Sequence, residues 1–315
     1  MKISDVDMRD AFFDEVYKIA KGDPCVIFIT ADMGAHSLVR FKNDLPEQYI
    51  NVGVAEQNMV SIAAGLALGG KTVFIYSIVP FVTMRCYEQI KIDLCCMNLP
   101  VTIIGAGAGL TYGSDGPTHH AIHDVAVMRT LPEITILNPS DSTMTQAFAR
   151  ISYEAASPVY IRIEKGILPL IYQQKNGDFS DGLAEIKSGD DLTIIATGIM
   201  VHHAVKVAEI LSQHSVSAGV VDLYRIKPLN ADLLLRLADK SKCLVTLEES
   251  AITGGMGSAV TEVLSDNSRT IPLKRIAIPD MHCFNAGSRE SLQALYGLDT
   301  ESIVKSIVDW HNGIS

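Results

Sequence analysis

Short, almost continuously apolar runs recur along this chain, separated by stretches of helical periodicity, and this alternation limits the fold more than any other feature. Cys25–Thr30, Thr72–Tyr76, Val101–Gly105, Ile134–Asn138 and Val159–Ile163 read as strands covered on both faces. Between them, Met8–Ala20, Glu56–Leu68, Arg85–Asn98 and Ser142–Ala155 read as helices. Strands and helices in alternation predict a mostly parallel sheet between helix layers. The pattern then breaks at the polar, turn-rich Tyr172-Gln-Gln-Lys-Asn-Gly-Asp-Phe-Ser-Asp-Gly182. A second set follows, with strands expected at Leu192–Ala196, Ala218–Leu223, Cys243–Leu247 and Leu273–Ile278. Its helices are expected at Val201–Gln213, Ala231–Asp239, Gly257–Leu264 and Glu301–Trp310. The expected architecture is two consecutive three-layer α/β domains, residues 1–171 and 190–315, joined by a linker at 172–189.

Composition narrows the function. With 48% hydrophobic residues the chain can bury two cores. A net charge of -10 argues against nucleic acid or an anionic membrane as the main partner, though local basic groups can still bind a small anion. No run reaches the ~18 apolar residues of a membrane span, and no signal peptide opens the chain. None of the six cysteines forms a C-x-x-C pair, and all but Cys283 sit in apolar runs. That usage suits reduced thiols in the cytoplasm.

One stretch points to chemistry. In Asn51-Val-Gly-Val-Ala-Glu56-Gln-Asn58 a carboxylate opens an apolar, alanine-rich helix. Val60, Ala63, Ala64 and Ala67 fall near the same helical face as Glu56, so that face is expected to be packed and dry. A carboxylate there is costly to ionise, and can be held protonated or share a strong hydrogen bond. The alternative is a helix-start carboxylate favoured only by the macrodipole. Further on, Asp115-Gly-Pro-Thr-His119-His120 and His123 form the richest polar cluster. A zinc reading of His119, His123 and Asp124 has no further Cys or His cluster behind it.

The surroundings of Glu56 resemble the glutamate motif of the transketolase family, which includes deoxyxylulose-phosphate synthases and the β subunits of 2-oxoacid dehydrogenases. The similarity continues through Tyr76-Ser77, Arg85-Cys-Tyr-Glu-Gln89, Asp115-Gly-Pro-Thr-His119, Pro139-Ser-Asp141, Arg162, Glu248-Glu249, Gly254-Gly-Met-Gly257 and Tyr296-Gly-Leu298. It implies a pyrimidine-binding domain followed by the family's C-terminal domain. It also implies thiamine diphosphate as cofactor, with Glu56 hydrogen-bonded to N1′ of the aminopyrimidine and promoting deprotonation of the cofactor. Tyr76 and Phe81 are candidates to stack on that ring, although the segment around Phe81 differs in length from the synthases. Arg85 matches in register and joins the cofactor candidates.

By the same resemblance Asp115 reads a substrate hydroxyl and His119 moves protons, a role that neutral imidazole suits near pH 7. His120 resembles the synthases. Arg162 corresponds to a phosphate-binding arginine whose fork suits an oxyanion, and Lys165 is a weaker companion. There are departures too. Gly107 stands where transketolases carry a phosphate-contacting histidine, and Ala108 stands where the synthases carry an arginine. We read these as room for an unusual acceptor or the loss of one phosphate contact.

The Gly-Asp-Gly signature that binds Mg²⁺ and the diphosphate is missing from the sequence. The expectation is therefore the small subunit of a split enzyme. A larger diphosphate-binding N-terminal subunit would hold most of the cofactor and its Mg²⁺ in an α₂β₂ assembly. The expected reaction moves a two-carbon ketol unit between sugars or sugar phosphates. A deoxyxylulose-phosphate-synthase-like ligase, a 2-oxoacid dehydrogenase β subunit and a non-catalytic assembly relative are the alternatives.

Overall fold

The computed structural model describes residues 4, 6–173 and 177–314. Gln174, Lys175 and Asn176 of the expected linker lie outside the described residues. The chain forms two compact units. One comprises residues up to Ala108 with Val127–Gly177, and the other comprises Gly109–Ala126 with Asp178 onward. The two α/β sets expected from the sequence are present, each built on a mostly parallel sheet.

The strands are β1 (Val26–Thr30), β2 (Tyr49–Asn51), β3 (Thr72–Ile78), β4 (Val101–Ala106), β5 (Thr135–Leu137) and β6 (Val159–Ile163). Within the first unit their order is β5-β6-β4-β3-β1-β2, and all pair in parallel. The accompanying helices are α1 (Met8–Gly22), α2 (His36–Asp44), α3 (Glu56–Leu68), α4 (Val79–Val82), α5 (Tyr87–Gln89), α6 (Asp124–Arg129) and α7 (Ser142–Tyr153). Beneath the sheet lies an aromatic cluster. The rings of Phe13 and Tyr76 meet edge-on at 4.7 Å, and those of Phe13 and Phe28 at 5.4 Å. Glu15 of α1, nearly enclosed, accepts from Gln146 and Arg150 of α7 and ties those two helices together.

One expected helix, Arg85–Asn98, is broken. After α5 the residues Ile90–Cys95 wind as a π-helical turn, with Cys96 N–H donating to Lys91 O and Leu99 N–H to Leu94 O. The wider turn buries Ile90, Leu94 and Cys95 together, a set that α-helical spacing would spread further around the axis.

The second unit contains β7 (Leu183–Lys187), β8 (Leu192–Ala196), β9 (Ala218–Leu223), β10 (Arg225–Lys227), β11 (Cys243–Ala251) and β12 (Leu273–Ile278). Five of these form a sheet in the order β12-β11-β8-β9-β7. Its pairs are parallel except β7–β9, which is antiparallel. Strand β7 falls inside the stretch expected to link the domains. Its alternating burial, in contrast with the fully buried β8 and β11, marks it as an edge strand. Helices α8 (Met200–Gln213), α9 (Ala231–Lys240), α10 (Met256–Asp266), α11 (Arg289–Leu295) and α12 (Thr300–Ile314) complete the unit. Among the described residues no helix is long and apolar enough to cross a membrane.

Candidate active site

In parallel α/β sheets, ligand-binding groups gather beyond the carboxyl ends of the strands. In the first unit the candidate residues follow this rule. Glu56 opens α3 after β2, Phe81 and Arg85 follow β3, Gly107 follows β4, and Arg162 and Lys165 come at and after the end of β6. The turn into α3 is braced by Asn51, whose side-chain oxygen accepts from Asp32 N–H and Gly53 N–H, both at 3.0 Å.

Glu56 is only 3% exposed. Val60, Ala63 and Ala64 are buried on α3 with it, as the spacing predicted, but Ala67 is only half-buried and Met59 takes the fourth buried place. Its oxygens, however, do not face a purely apolar wall. Oε1 accepts from Ser77 Oγ at 3.3 Å, and Oε2 pairs with Arg85 Nη1 at 2.7 Å. The Arg85 side chain is 43% exposed and lies 4.4 Å over the half-buried Phe81 ring. The carboxylate is thus enclosed on its helix side and approached from outside by a flexible arm. The adjacent Cys86 thiol is pushed up to about 12, chiefly by burial and then by the Glu56 charge, with Arg85 opposing. It is therefore a neutral core group, not a nucleophile.

The two aromatic candidates separate. Tyr76 is wholly buried in the ring cluster with Phe13 and Phe28, whereas Phe81 is half-buried beside Arg85. Arg162 is 3% exposed on β6, opposite Gly105 of β4, and Lys165 is exposed.

Asp115, His119 and His120 belong to the second unit, on a loop that leaves β4 and returns through α6. Asp115 is exposed at the end of a 3-10 turn, Gly113–Asp115. His119 is half-buried, its Nδ1 3.0 Å from Thr118 Oγ1 and its ring 6.3 Å from that of Tyr112. His120 is 2% exposed, and neither of its ring nitrogens has a hydrogen-bond partner among the described residues. Two bare imidazole nitrogens in a buried site are costly, which marks a place where a polar partner is due.

Sequence reasoning missed what Gly105 and Gly109 do. A Cβ at Gly105 would stand 2.9 Å from Val79 Cγ2 and 3.1 Å from Tyr160 Cε2. At Gly109 it would stand 1.9 Å from Glu249 Oε2. Both glycines are demanded by the chain's own packing.

Comparison with known proteins gives the family. Residues 4–170 match the transketolase pyrimidine-binding domain and residues 182–303 the transketolase C-terminal domain. The chain belongs to the transketolase family. An apulose-4-phosphate transketolase subunit of Phocaeicola vulgatus is 36% identical over 304 residues, which cover 96% of each chain. A split-gene transketolase solved as an inactive β4 tetramer is 32% identical with a TM-score of 0.86, covering 97% of this chain and 98% of that one. The 1-deoxy-D-xylulose-5-phosphate synthase of Synechococcus sp. is 38% identical over 297 residues, but these make up only 45% of the synthase. This transketolase chain therefore matches separately encoded subunits end to end, and the synthases over about half their length. It is a transferase subunit of the split kind.

The family implies thiamine diphosphate, and the first unit suits its aminopyrimidine. A buried carboxylate and a half-buried phenylalanine ring, both in contact with Arg85, are the residue types that would hydrogen-bond a ring nitrogen and pack against a flat heteroaromatic.

Proposed function

We propose that this chain combines with a diphosphate-binding partner to form a transketolase that moves a two-carbon ketol unit from a ketose to an aldose-type acceptor. The observation that carries the reading is the Glu56 carboxylate, buried at the start of α3 and held by Arg85, which also lies over the Phe81 ring. When bound, thiamine diphosphate supplies a nucleophilic carbon and an electron sink for carbon–carbon cleavage. Glu56 holds a proton at the pyrimidine nitrogen, and Phe81 covers the ring face with Arg85 at its edge. Tyr76 stiffens β3 beneath them from within the core.

On the substrate side Asp115 accepts from a sugar hydroxyl, and His119 and His120 exchange protons or hydrogen bonds with the carbonyl and its neighbours. Arg162, with Lys165, binds a terminal oxyanion. The N-terminal partner holds Mg²⁺ and the diphosphate in an α₂β₂ assembly, in the cytoplasm. The domain bounds proposed are 1–171 for pyrimidine binding and 190–315 for the C-terminal domain, with the 172–189 linker lending β7 to the sheet of the second unit. Subunit-length relatives, matched in full, support this reading over the synthase one.

The test is calorimetric titration of Mg²⁺–thiamine diphosphate into this chain alone and into the reconstituted pair, then ketose cleavage by the pair carrying Glu56→Gln. Binding should appear only in the mixture, and the variant should lose about 10²–10⁴-fold in rate, the range for removal of a proton-transfer group. Tight binding by this chain alone would overturn the shared site. An unaffected rate would overturn the role of Glu56.

A further inference from the structure

Two adjacent carboxylates, Glu248 and Glu249 of β11, are almost completely buried, and the chemistry above uses neither. Their tasks differ. Glu248 accepts from Met256 N–H and Gly257 N–H, both at 2.7 Å, and from the Ser250 hydroxyl, so it caps α10. Glu249 instead receives groups from two other segments of the second unit. Arg289 of α11 donates from Nε to Oε1 at 3.0 Å and from Nη2 to Oε2 at 2.5 Å, and Gln293 Nε2 donates to Oε1 at 2.6 Å. A further donor is the backbone N–H of Leu110, 2.9 Å from Oε2.

That amide stands at the root of the loop bearing Asp115, His119 and His120. Several other contacts fix the same loop. Gly109 and Ala121 exchange backbone bonds at 3.2 and 2.7 Å across its neck. Ala251 N–H, on the strand of Glu249, donates to Ile122 O at 2.7 Å, and Gly287 N–H donates to Gly113 O at 3.0 Å just before α11. Arg289 is only 13% exposed, so its fork and the Glu249 carboxylate form an enclosed, bidentate pair. Such a pair adds little net stability but is specific in geometry, because any shift leaves a buried charge unmet. Gly109 closes the case, since only a residue without a Cβ allows Glu249 Oε2 so near the backbone.

We propose that Glu249, held by Arg289 and Gln293, is a positioning residue that fixes the loop from Gly109 to Ile122 and thereby sets Asp115 and His119 for the substrate. The proposal rests on the reading of that loop as substrate-binding. Glu249 touches no reacting atom. It acts through the Leu110 amide, and displacing a substrate group by about 1 Å can cost on the order of 10²-fold in rate.

The test is Glu249→Gln, with Arg289→Lys as a second, milder variant, each in the pair assembled with the N-terminal partner. The amide keeps the shape but loses a charge-accepting oxygen, and lysine keeps the charge but loses the fork. Three quantities are read. The first is hydrogen exchange of residues 109–122 against the buried strand β8. The second is the affinity for Mg²⁺–thiamine diphosphate. The third is kcat and KM for cleavage of xylulose 5-phosphate, fructose 6-phosphate and sedoheptulose 7-phosphate.

Expected are loop exchange faster by about tenfold or more with β8 unchanged, cofactor affinity within about threefold, and kcat/KM lower by about 10–100-fold. Unchanged loop exchange overturns the proposal. So does faster exchange with unaltered kcat/KM, because the loop is then held without being positioned for substrate. If the wild-type pair cleaves none of the three ketoses, the functional reading falls and loop exchange alone decides the clamp. If Glu249→Gln does not fold, Arg289→Lys carries the same comparison.

Discussion

Gly109→Ala is the sharpest available perturbation of the second unit, because the structure separates its costs. Gly109 has φ +58, a region that costs an L-residue roughly 1–2 kcal/mol. The narrower unfolded ensemble of alanine returns about 0.4–1 kcal/mol. The rest of the cost is steric, since the new Cβ would stand 1.9 Å from Glu249 Oε2. That oxygen cannot swing away cheaply, because Arg289 and Gln293 hold the carboxylate from the other side. The least costly escape gives up the Leu110 N–H bond, and a hydrogen bond to a charged group contributes about 1.5–3 kcal/mol. The net expectation is a loss of about 3 kcal/mol from the second unit.

Trp310 of α12, the chain's single tryptophan, reports on that unit without interference from the first. With a urea slope of about 2 kcal/mol per molar, the fluorescence midpoint should fall by about 1.5 M. Gly297→Ala supplies the control, at the left-handed turn that ends α11 in the same unit. Its φ is +73 and nothing lies within 4 Å of the added methyl, so it carries only the backbone strain. Its midpoint should fall by no more than about 0.5 M, the shift for roughly 1 kcal/mol. Equal shifts for the two variants would refute the reasoning, since the Glu249 contact would then contribute nothing that strain does not.

Other outcomes follow from the same structure. Asp141→Ala should destabilise the first unit by about 3 kcal/mol in urea unfolding, because its carboxylate caps α7 at Met144 N–H and also accepts from Ile171 and Tyr172. Glu15 is held below the usual carboxylate range. Burial opposes this, but hydrogen bonds from Gln146, Lys18 and Arg150 outweigh it. Its stabilising contribution is therefore present above the ordinary glutamate value and lost as pH falls through the lowered one. A Glu15→Gln chain should show a shallower stability loss below about pH 4.5 in acid unfolding followed by circular dichroism. Arg162→Lys in the reconstituted pair should raise KM for a ketose phosphate about tenfold and change kcat little, as expected for lost ground-state binding measured by steady-state kinetics.

The fold was legible where burial is two-sided and propensity agrees with it. Strands β6, β8, β9 and β12 and helix α3 begin and end where the sequence pattern put them. Short elements without an apolar signature went unread, among them β2, the edge strand β7 and helix α11. Their register is set by neighbours and not by their own residues. The π-helical turn was invisible for a related reason, since the sequence shows apolar positions but not how many residues each turn spends between them. At the candidate site, Glu56 on α3 and the Asp-Gly-Pro-Thr-His segment were singled out by their patterns. Arg85 as the partner of Glu56 and Glu249 as the anchor of Leu110 were not. Each pairs groups far apart in sequence, 29 and 139 residues respectively, and no spacing rule reaches that far.

His120 carries the argument about function one step further, because stability and function should pull against each other there. The ring is 2% exposed and neither nitrogen has a hydrogen-bond partner among the described residues, so its burial costs more than that of an apolar side chain. His120→Leu should therefore leave the second unit as stable as before, or more stable by about 1 kcal/mol, since the desolvation cost of the bare nitrogens is removed. The same variant should raise KM or lower kcat in the reconstituted pair, because the substrate group that completes the imidazole's hydrogen bonds would lose its partner. Trp310 fluorescence in urea measures the first effect and ketose cleavage the second. A variant that is both less stable and fully active would mean that His120 is an ordinary core residue, and the loop's claim on substrate would then rest on Asp115 and His119 alone.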